Sequence, residues 1–242
     1  MAIILFFIGH WYLSLFTQTF FHHRYSAHKM FKMSKFWEKV FFVLSLVFQG
    51  SSYLSPYAYG LLHRLHHAYA DTFRDPHSPT NDKNIFRMMW KTKLIYTKIR
   101  KGQYSIKDKF KHNLPEWHSF DYFATSWLAR IVCGAGYVAF YYYFVPEGQW
   151  FWYLLLPIHF IMGPIHGAII NWFAHTIGYR NFDVKDTSKN FMPWDLIMLG
   201  EGLHNNHHAR PQANFSIKWY EFDPVYPIIF CLNKLNIIRL KK

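Results

Sequence analysis

Ala2 to Phe21 is an apolar, aromatic-rich run without Lys, Arg, Asp or Glu. It is about long enough to span a bilayer. His10 and Gln18 inside it are expected to face protein rather than lipid. Val40 to Phe48 is also apolar, but it is short and is interrupted by Gln49-Gly50-Ser51-Ser52 and again at Ser55-Pro56. Residues of about 40–62 therefore predict a re-entrant or interfacial segment. Two longer runs, at about 122–144 and 150–174, predict further spans joined by Val145-Pro146-Glu147-Gly148-Gln149. Gly163, Pro164 and Gly167 in the last run allow close packing and a bend. Between the spans, Ile85 to His112 interleaves Phe86, Met88, Met89, Trp90, Ile95 and Ile99 with basic residues, a pattern for helix lying at the interface. The expected fold is one domain, 1–242, of an all-α integral membrane protein. A helical transmembrane stem of about three spans (2–21, 122–144, 150–174) plus the re-entrant segment would carry a helical cytoplasmic cap from residues 63–121 and 176–242.

Charge sharpens this topology. The formal net charge is +13, which taken alone suits nucleic-acid binding. Arg130, however, is the only Lys or Arg outside residues 22–121 and 176–242. The positive charge thus falls on one side of the predicted membrane, and the positive-inside rule makes that side cytoplasmic. Topology accounts for the charge, and no nucleic acid is needed. Aromatic residues make up 21% of the chain, in keeping with a bilayer. Cys133 and Cys231 are the only cysteines and imply neither a disulfide framework nor a CxxC metal site. The first residues lack the basic region of a secretory signal.

The candidate chemistry lies in histidine. His63-Arg64-Leu65-His66-His67 and His204-Asn205-Asn206-His207-His208 share one spacing, and His23-Arg24-Tyr25-Ser26-Ala27-His28 is a third cluster. On a helix, positions i, i+3 and i+4 lie towards one face, so each HxxHH is expected to point three imidazoles at one place. An i, i+5 pair does not share a face of a regular helix, so His23 and His28 should converge where the first helix ends or bends. The first two clusters can share a site only if the chain between them dips into the membrane and returns. His175 emerges on the same side after two crossings. Nine imidazoles fit two metal ions better than one closed zinc site, and with no cysteine they favour paired, redox-active irons. Glu201 and Asp75 are expected to receive imidazole N–H groups and so orient the ligands; Asp71 lies nearby. His22 reads as a neighbour of the first cluster, His77 as a turn residue, and His10, His159 and His166 as hydrogen-bonded packing residues within spans.

HRYSAH, HRLHH and HNNHH resemble the three histidine boxes of the membrane fatty acid desaturases. Within that family the chain is similar to the acyl-CoA delta-9 (stearoyl-CoA-type) group. Asp75-Pro76-His77, Asn171-Trp172-Phe173-Ala174-His175 with Gly178-Tyr179-Arg180, and Gly200-Glu201-Gly202 also match, so the resemblance runs from about Trp11 to Trp219. It implies a diiron centre whose ligands are His23, His28, His63, His66, His67, His175, His204, His207 and His208, with Asn171 holding a metal-bound water. It implies an O2-dependent desaturation that places a cis double bond, at delta-9, in a saturated fatty acyl chain carried as acyl-CoA. Trp90, Lys91 and Lys93 fall where the family keeps a basic carrier-binding stretch, and Arg64 is a further candidate for an anionic substrate group. Leu61-Leu62 stand where animal members have Arg-Asp, so an acyl-lipid or carrier-protein thioester stays open. Electrons would come from a separate ferredoxin or b-type cytochrome with its reductase. The expected location is a bacterial inner membrane, with the endoplasmic reticulum as the alternative. Two other readings compete: a lipid hydroxylase on the same diiron scaffold, and a membrane protein that binds or transports zinc.

Overall fold

A computed structural model describes residues 1–241. Helix α1 (Ala2–Thr17) continues without a break into a π-helical segment, Gln18–Ala27. Among the described residues, together they form the one helix long and apolar enough by itself to cross a membrane. Two bent pairs have the same character when each is taken as one span. In the first, α5 (His118–Ala124) meets α6 (Trp127–Phe144) at 50°. In the second, Trp150–Phe160, which contains α7 (Leu156–Phe160), meets Met162–Thr176 at 72°. That second arm holds α8 (Met162–Ala168), a π-helical turn (Ile169–Phe173) and α9 (Ala174–Thr176). The break falls beside Gly163 and Pro164, where the sequence allowed a bend. Spans therefore number one to three by length and composition.

The helix α2 (Lys35–Gln49) turns back along α1. A turn at Gly50–Ser52 then leads into α3 (Pro56–Tyr69). Ser55-Pro56, read as a break in the sequence, is a helix start. The Ser55 hydroxyl accepts from the Ala58 N–H, and Pro56 takes the first helical position, where its missing N–H costs nothing. Residue 62, the expected end of the re-entrant segment, consequently lies inside a continuous helix. α3 packs closely on the π-helical segment at Gly60, where a Cβ would lie 2.5 Å from Ser26 Oγ. This contact brings the first two histidine clusters together.

α4 (Ile85–Arg100) packs on α3 and leaves Phe86, Trp90 and Leu94 exposed among lysines, in the interfacial pattern. α10 (His204–Ala209) and α11 (Val225–Lys234) complete the helices. Helix dominates, with one element outside the all-α expectation. β1 (Phe31–Met33) pairs antiparallel with β2 (Ile238–Leu240), in register Phe31 with Leu240. These three-residue strands are too short to leave an alternating signature in the sequence. The ribbon covers a core of Phe20, Phe21, Phe41, Phe42, Val225 and Ile229. Both cysteines are free.

Candidate metal centre

The wide turns of the π-helical segment solve the spacing of the first histidine pair. The His28 N–H bonds the His23 carbonyl at 3.1 Å, an i→i+5 bond, so both imidazoles leave one face. The helix ends at Ala27 with His28 as its cap, as the spacing suggested, and it widens into π turns on the way.

Nine histidines gather into two groups. One comprises His23, His28, His63, His67 and His207, and the other His66, His175, His204 and His208. Each HxxHH is thus divided rather than aimed at one place. His63 and His67 join the first group and His66 the second, while His207 joins the first and His204 and His208 the second. The cause is the 3.6-residue turn, which rotates adjacent positions by about 100°. A consecutive histidine pair therefore straddles two neighbouring sites.

In the five-histidine group the Nε2 atoms converge. His23 lies 2.9 Å from His63 and 3.0 Å from His207, and His28 lies 2.8 Å from His63. His67 lies 2.9 Å from both His63 and His207. Two imidazole nitrogens on one ion, each about 2.1 Å away and at right angles, would be about 3.0 Å apart, so this set fits a metal. The four-histidine group is looser, with 3.1 Å between His175 and His204 and 3.3 Å between His66 and His208. Burial, and then the neighbouring imidazoles, hold His67, His204, His207 and His208 well below the usual imidazole range. The same causes bring His66 down to about 3. These rings are therefore neutral at pH 7, the form that offers a lone pair to a metal.

Carboxylates stand behind the rings. The Nδ1–H of His66 donates to Asp75 at 2.9 Å, and Nδ1 of His23 lies 2.6 Å from Glu201. Glu201 also accepts from the Thr19 hydroxyl. Asp75 and Glu201 thus lie beside the outer ring nitrogens of His66 and His23. Asp186 was missed: it lies 2.8 Å from His208 Nδ1. So was Thr187, whose hydroxyl is 3.2 Å from His175 Nδ1 and donates to Asp71 at 2.8 Å. Asp186 and Thr187 lie in an irregular loop, and no spacing rule reaches them.

Local sequence explains how short α10 holds three of the histidines. Six residues do not sustain an isolated helix. Asn205 accepts from the backbone N–H groups of Asn181 and Phe182, each at 2.8 Å. Asn206 donates to the Phe215 carbonyl and to Glu221, each at 2.8 Å. Upstream, Gly200 has φ +87, and a Cβ there would lie 2.5 Å from Asp223 Oδ1, so the turn that presents Glu201 requires glycine. Asp223 itself is gripped by Arg24 through two bonds of 2.7 and 2.9 Å, in full burial.

A cavity of about 1020 Å³ reaches His63, His204 and Glu201. Its remaining walls are largely apolar, among them Leu15, Leu62, Ile131 and Phe160. Asn171 lines it, whereas His175, four residues on, turns into the four-histidine group across the intervening π-helical turn. Trp90, Lys93 and Arg100 border the cavity from α4. Lys91 pairs instead with Asp82 at 3.2 Å. Arg64 does not line the cavity. Its guanidinium donates to the carbonyls of Ala27, Phe110, His112 and Ser26, which fastens α3 to the end of the π-helical segment.

Of the remaining histidines, His77 forms a further group with His66 and Asp75, and the others lie outside the histidine groups. His22 bonds backbone carbonyls of Thr17 and Leu54, as a neighbour of the cluster should. His10 and His159 lie 2.6 Å apart, and His159 meets the Tyr141 hydroxyl at 3.0 Å. His166 departs from the packing role by lacking a hydrogen-bond partner on either ring nitrogen, and it lines the cavity. His77 shares both properties and lies against the His66 ring with centroids 4.3 Å apart.

The family model for fatty acid desaturase matches residues 1–231. The chain is 28% identical over 230 residues to Delta-9 desaturase-like 5 protein of Arabidopsis thaliana, covering 90% of this chain and 70% of the relative. It is 29% identical over 222 residues to Acyl-CoA C20 Delta5-desaturase of Anemone leveillei, covering 89% and 65%. It is 27% identical over 219 residues to Delta-9 acyl-lipid desaturase 1 of Arabidopsis thaliana, covering 89% and 67%. With nine histidines, seven of them buried, gathered beside one apolar cavity and a family match along nearly its whole length, the chain belongs to the fatty acid desaturase family.

Proposed function

We propose that the protein is a diiron, O2-dependent desaturase that introduces a cis double bond, at delta-9, into a saturated fatty acyl chain carried as acyl-CoA. The observation that carries this reading is the opening of both histidine groups, through His63 and His204, onto one cavity. The nine histidines would hold two irons, which when bound supply the redox chemistry that reduces O2 while two hydrogens leave adjacent methylenes. His66, His208 and His23 keep their Nε2 lone pairs inward because Asp75, Asp186 and Glu201 take up the opposite ring nitrogen. Asn171 would hold a metal-bound water from the cavity wall. The apolar walls exclude water and fix which methylenes approach the histidines, and that positioning sets regiochemistry. Lys93 and Trp90 at the α4 border suit the anionic carrier, with Arg100 beside them. Relatives with delta-9 and delta-5 names, and with acyl-CoA and acyl-lipid names, share the same span of sequence. Double-bond position and carrier are therefore matters of cavity shape rather than of the histidines. The basic, histidine-bearing end is assigned to the cytoplasm by the positive-inside rule, where a separate ferredoxin or b-type cytochrome delivers electrons.

The test is the fatty acid profile of cells expressing the chain with a ferredoxin–reductase pair, with His207→Ala as control. The expected result is a new cis monoene at delta-9 that disappears in the variant. A hydroxylated chain would move the protein to a hydroxylase reading. An unchanged profile with iron-loaded protein would overturn the assignment.

A further inference from the structure

A second cavity, of about 410 Å³, shares no lining residue with the first. Tyr25, Lys29, Lys32, Lys35, Glu38 and Lys241 bound it where the π-helical segment, the ribbon and the start of α2 meet. Among the described residues, four ammonium groups thus surround one carboxylate. Glu38 already accepts from the Tyr25 hydroxyl at 2.5 Å and from Lys35 at 2.6 Å. No carboxylate of the described residues pairs with Lys29 or Lys32. Lys29 adopts a left-handed backbone, φ +53, and its ammonium lies 4.3 Å from the Tyr25 ring centroid. An anion in the cavity would relieve the crowding of positive charge.

Exposed apolar surface adjoins these lysines. Phe36 follows Lys35 directly, and Val43 and Val47 continue an outward stripe along α2. Ile228, Phe230 and Leu235 are exposed on and just beyond α11. Both helices share a packed core with Tyr25 and Phe31, which line the cavity. A basic pocket bordered by outward apolar side chains has the chemistry of a bilayer interface.

We propose that this pocket binds the phosphate of an anionic membrane lipid, with Lys29, Lys32 and Lys35 around the headgroup and the acyl tails along the α2 stripe. A free phosphate would meet the same ammonium groups but leave the stripe bare. The test is native mass spectrometry of the purified full chain in neutral detergent. Phosphatidylglycerol, phosphatidylcholine or inorganic phosphate is added in separate runs. One phosphatidylglycerol should be retained in preference to phosphatidylcholine. In the variant Lys32→Ala with Lys35→Ala its apparent affinity should fall roughly twentyfold. Both positions are exposed, so the fold should survive the change. A variant with Lys98→Ala and Lys101→Ala removes equal charge at the end of α4 and should retain the lipid. Equal losses in the two variants would reduce the effect to general attraction and overturn the site. Retention of inorganic phosphate without phosphatidylglycerol would overturn the lipid assignment, as would the absence of any preference between the lipids.

Discussion

The two histidine groups differ in number and in support. The five-histidine group is tight, with Nε2 separations from 2.8 to 3.0 Å, but only His23 has a carboxylate within 3 Å of its outer nitrogen. Nδ1 of His207 has no partner, and neither has Nδ1 of His204 in the other group. The four-histidine group is looser, yet His66 and His208 are each backed by an aspartate and His175 by Thr187. In the proposed diiron reading, ligand number would hold one site, and outer hydrogen bonds to His66, His208 and His175 would support the other. The second group is also one histidine poorer, and Asn171 and Glu201 line the cavity that reaches its His204. In the diiron reading, the first site is the rigid anchor and the second has room to change its ligands.

The largest effect should follow from breaking the anchor. His207→Ala is expected to abolish turnover, by more than about a hundredfold, because losing a ligand exceeds the effect of losing its outer partner. Activity assays with metal analysis check this. Asp186→Asn sharpens the contrast. It should weaken metal binding by about ten- to a hundredfold at the four-histidine group while the five-histidine group stays occupied, as metal titration would reveal. Asn171→Ala should lower turnover about tenfold without lowering metal content, measured by kinetics on metal-loaded protein. Lys91→Ala should change KM by no more than about threefold, since Lys91 is committed to a partly exposed pair with Asp82.

Acid should undo the metal-free protein. The imidazoles of His66 and His77 fall to about 3, chiefly through burial. An unfolded histidine takes up its proton near pH 6.5. Between about pH 6.5 and 3 the unfolded state therefore binds more protons, and stability falls as pH falls. At pH 5 each of the two costs about 2 kcal/mol relative to neutral pH. Thermal unfolding of chelator-treated protein should give a lower Tm at pH 5 than at pH 7.5.

Much of the site was legible because histidine spacing is a local property. The sequence named all nine clustered histidines, together with Asp75 and Glu201 behind them. Their partition was not legible. It depends on the rotation between His66 and His67 and on the orientation of α3 against α10, which tertiary packing decides. The π-helical widening at Gln18–Ala27 was hidden for another reason: apolar periodicity cannot distinguish an i→i+4 ladder from an i→i+5 one in a run buried on every face. Asp186 and the carbonyls around Arg64 come from irregular loops distant in sequence, where no period exists to be read. The bend beside Gly163 was visible in composition, but its 72° angle was not.

The central claim is that the two groups are two metal sites in one chain. The most direct measurement is metal content per chain of protein purified after expression with iron, for the natural sequence, His207→Ala and His204→Ala. The account predicts two irons per chain in the first and a loss in each variant, with the five-histidine site surviving in His204→Ala. A single zinc per chain, unaffected by His204→Ala, would contradict it.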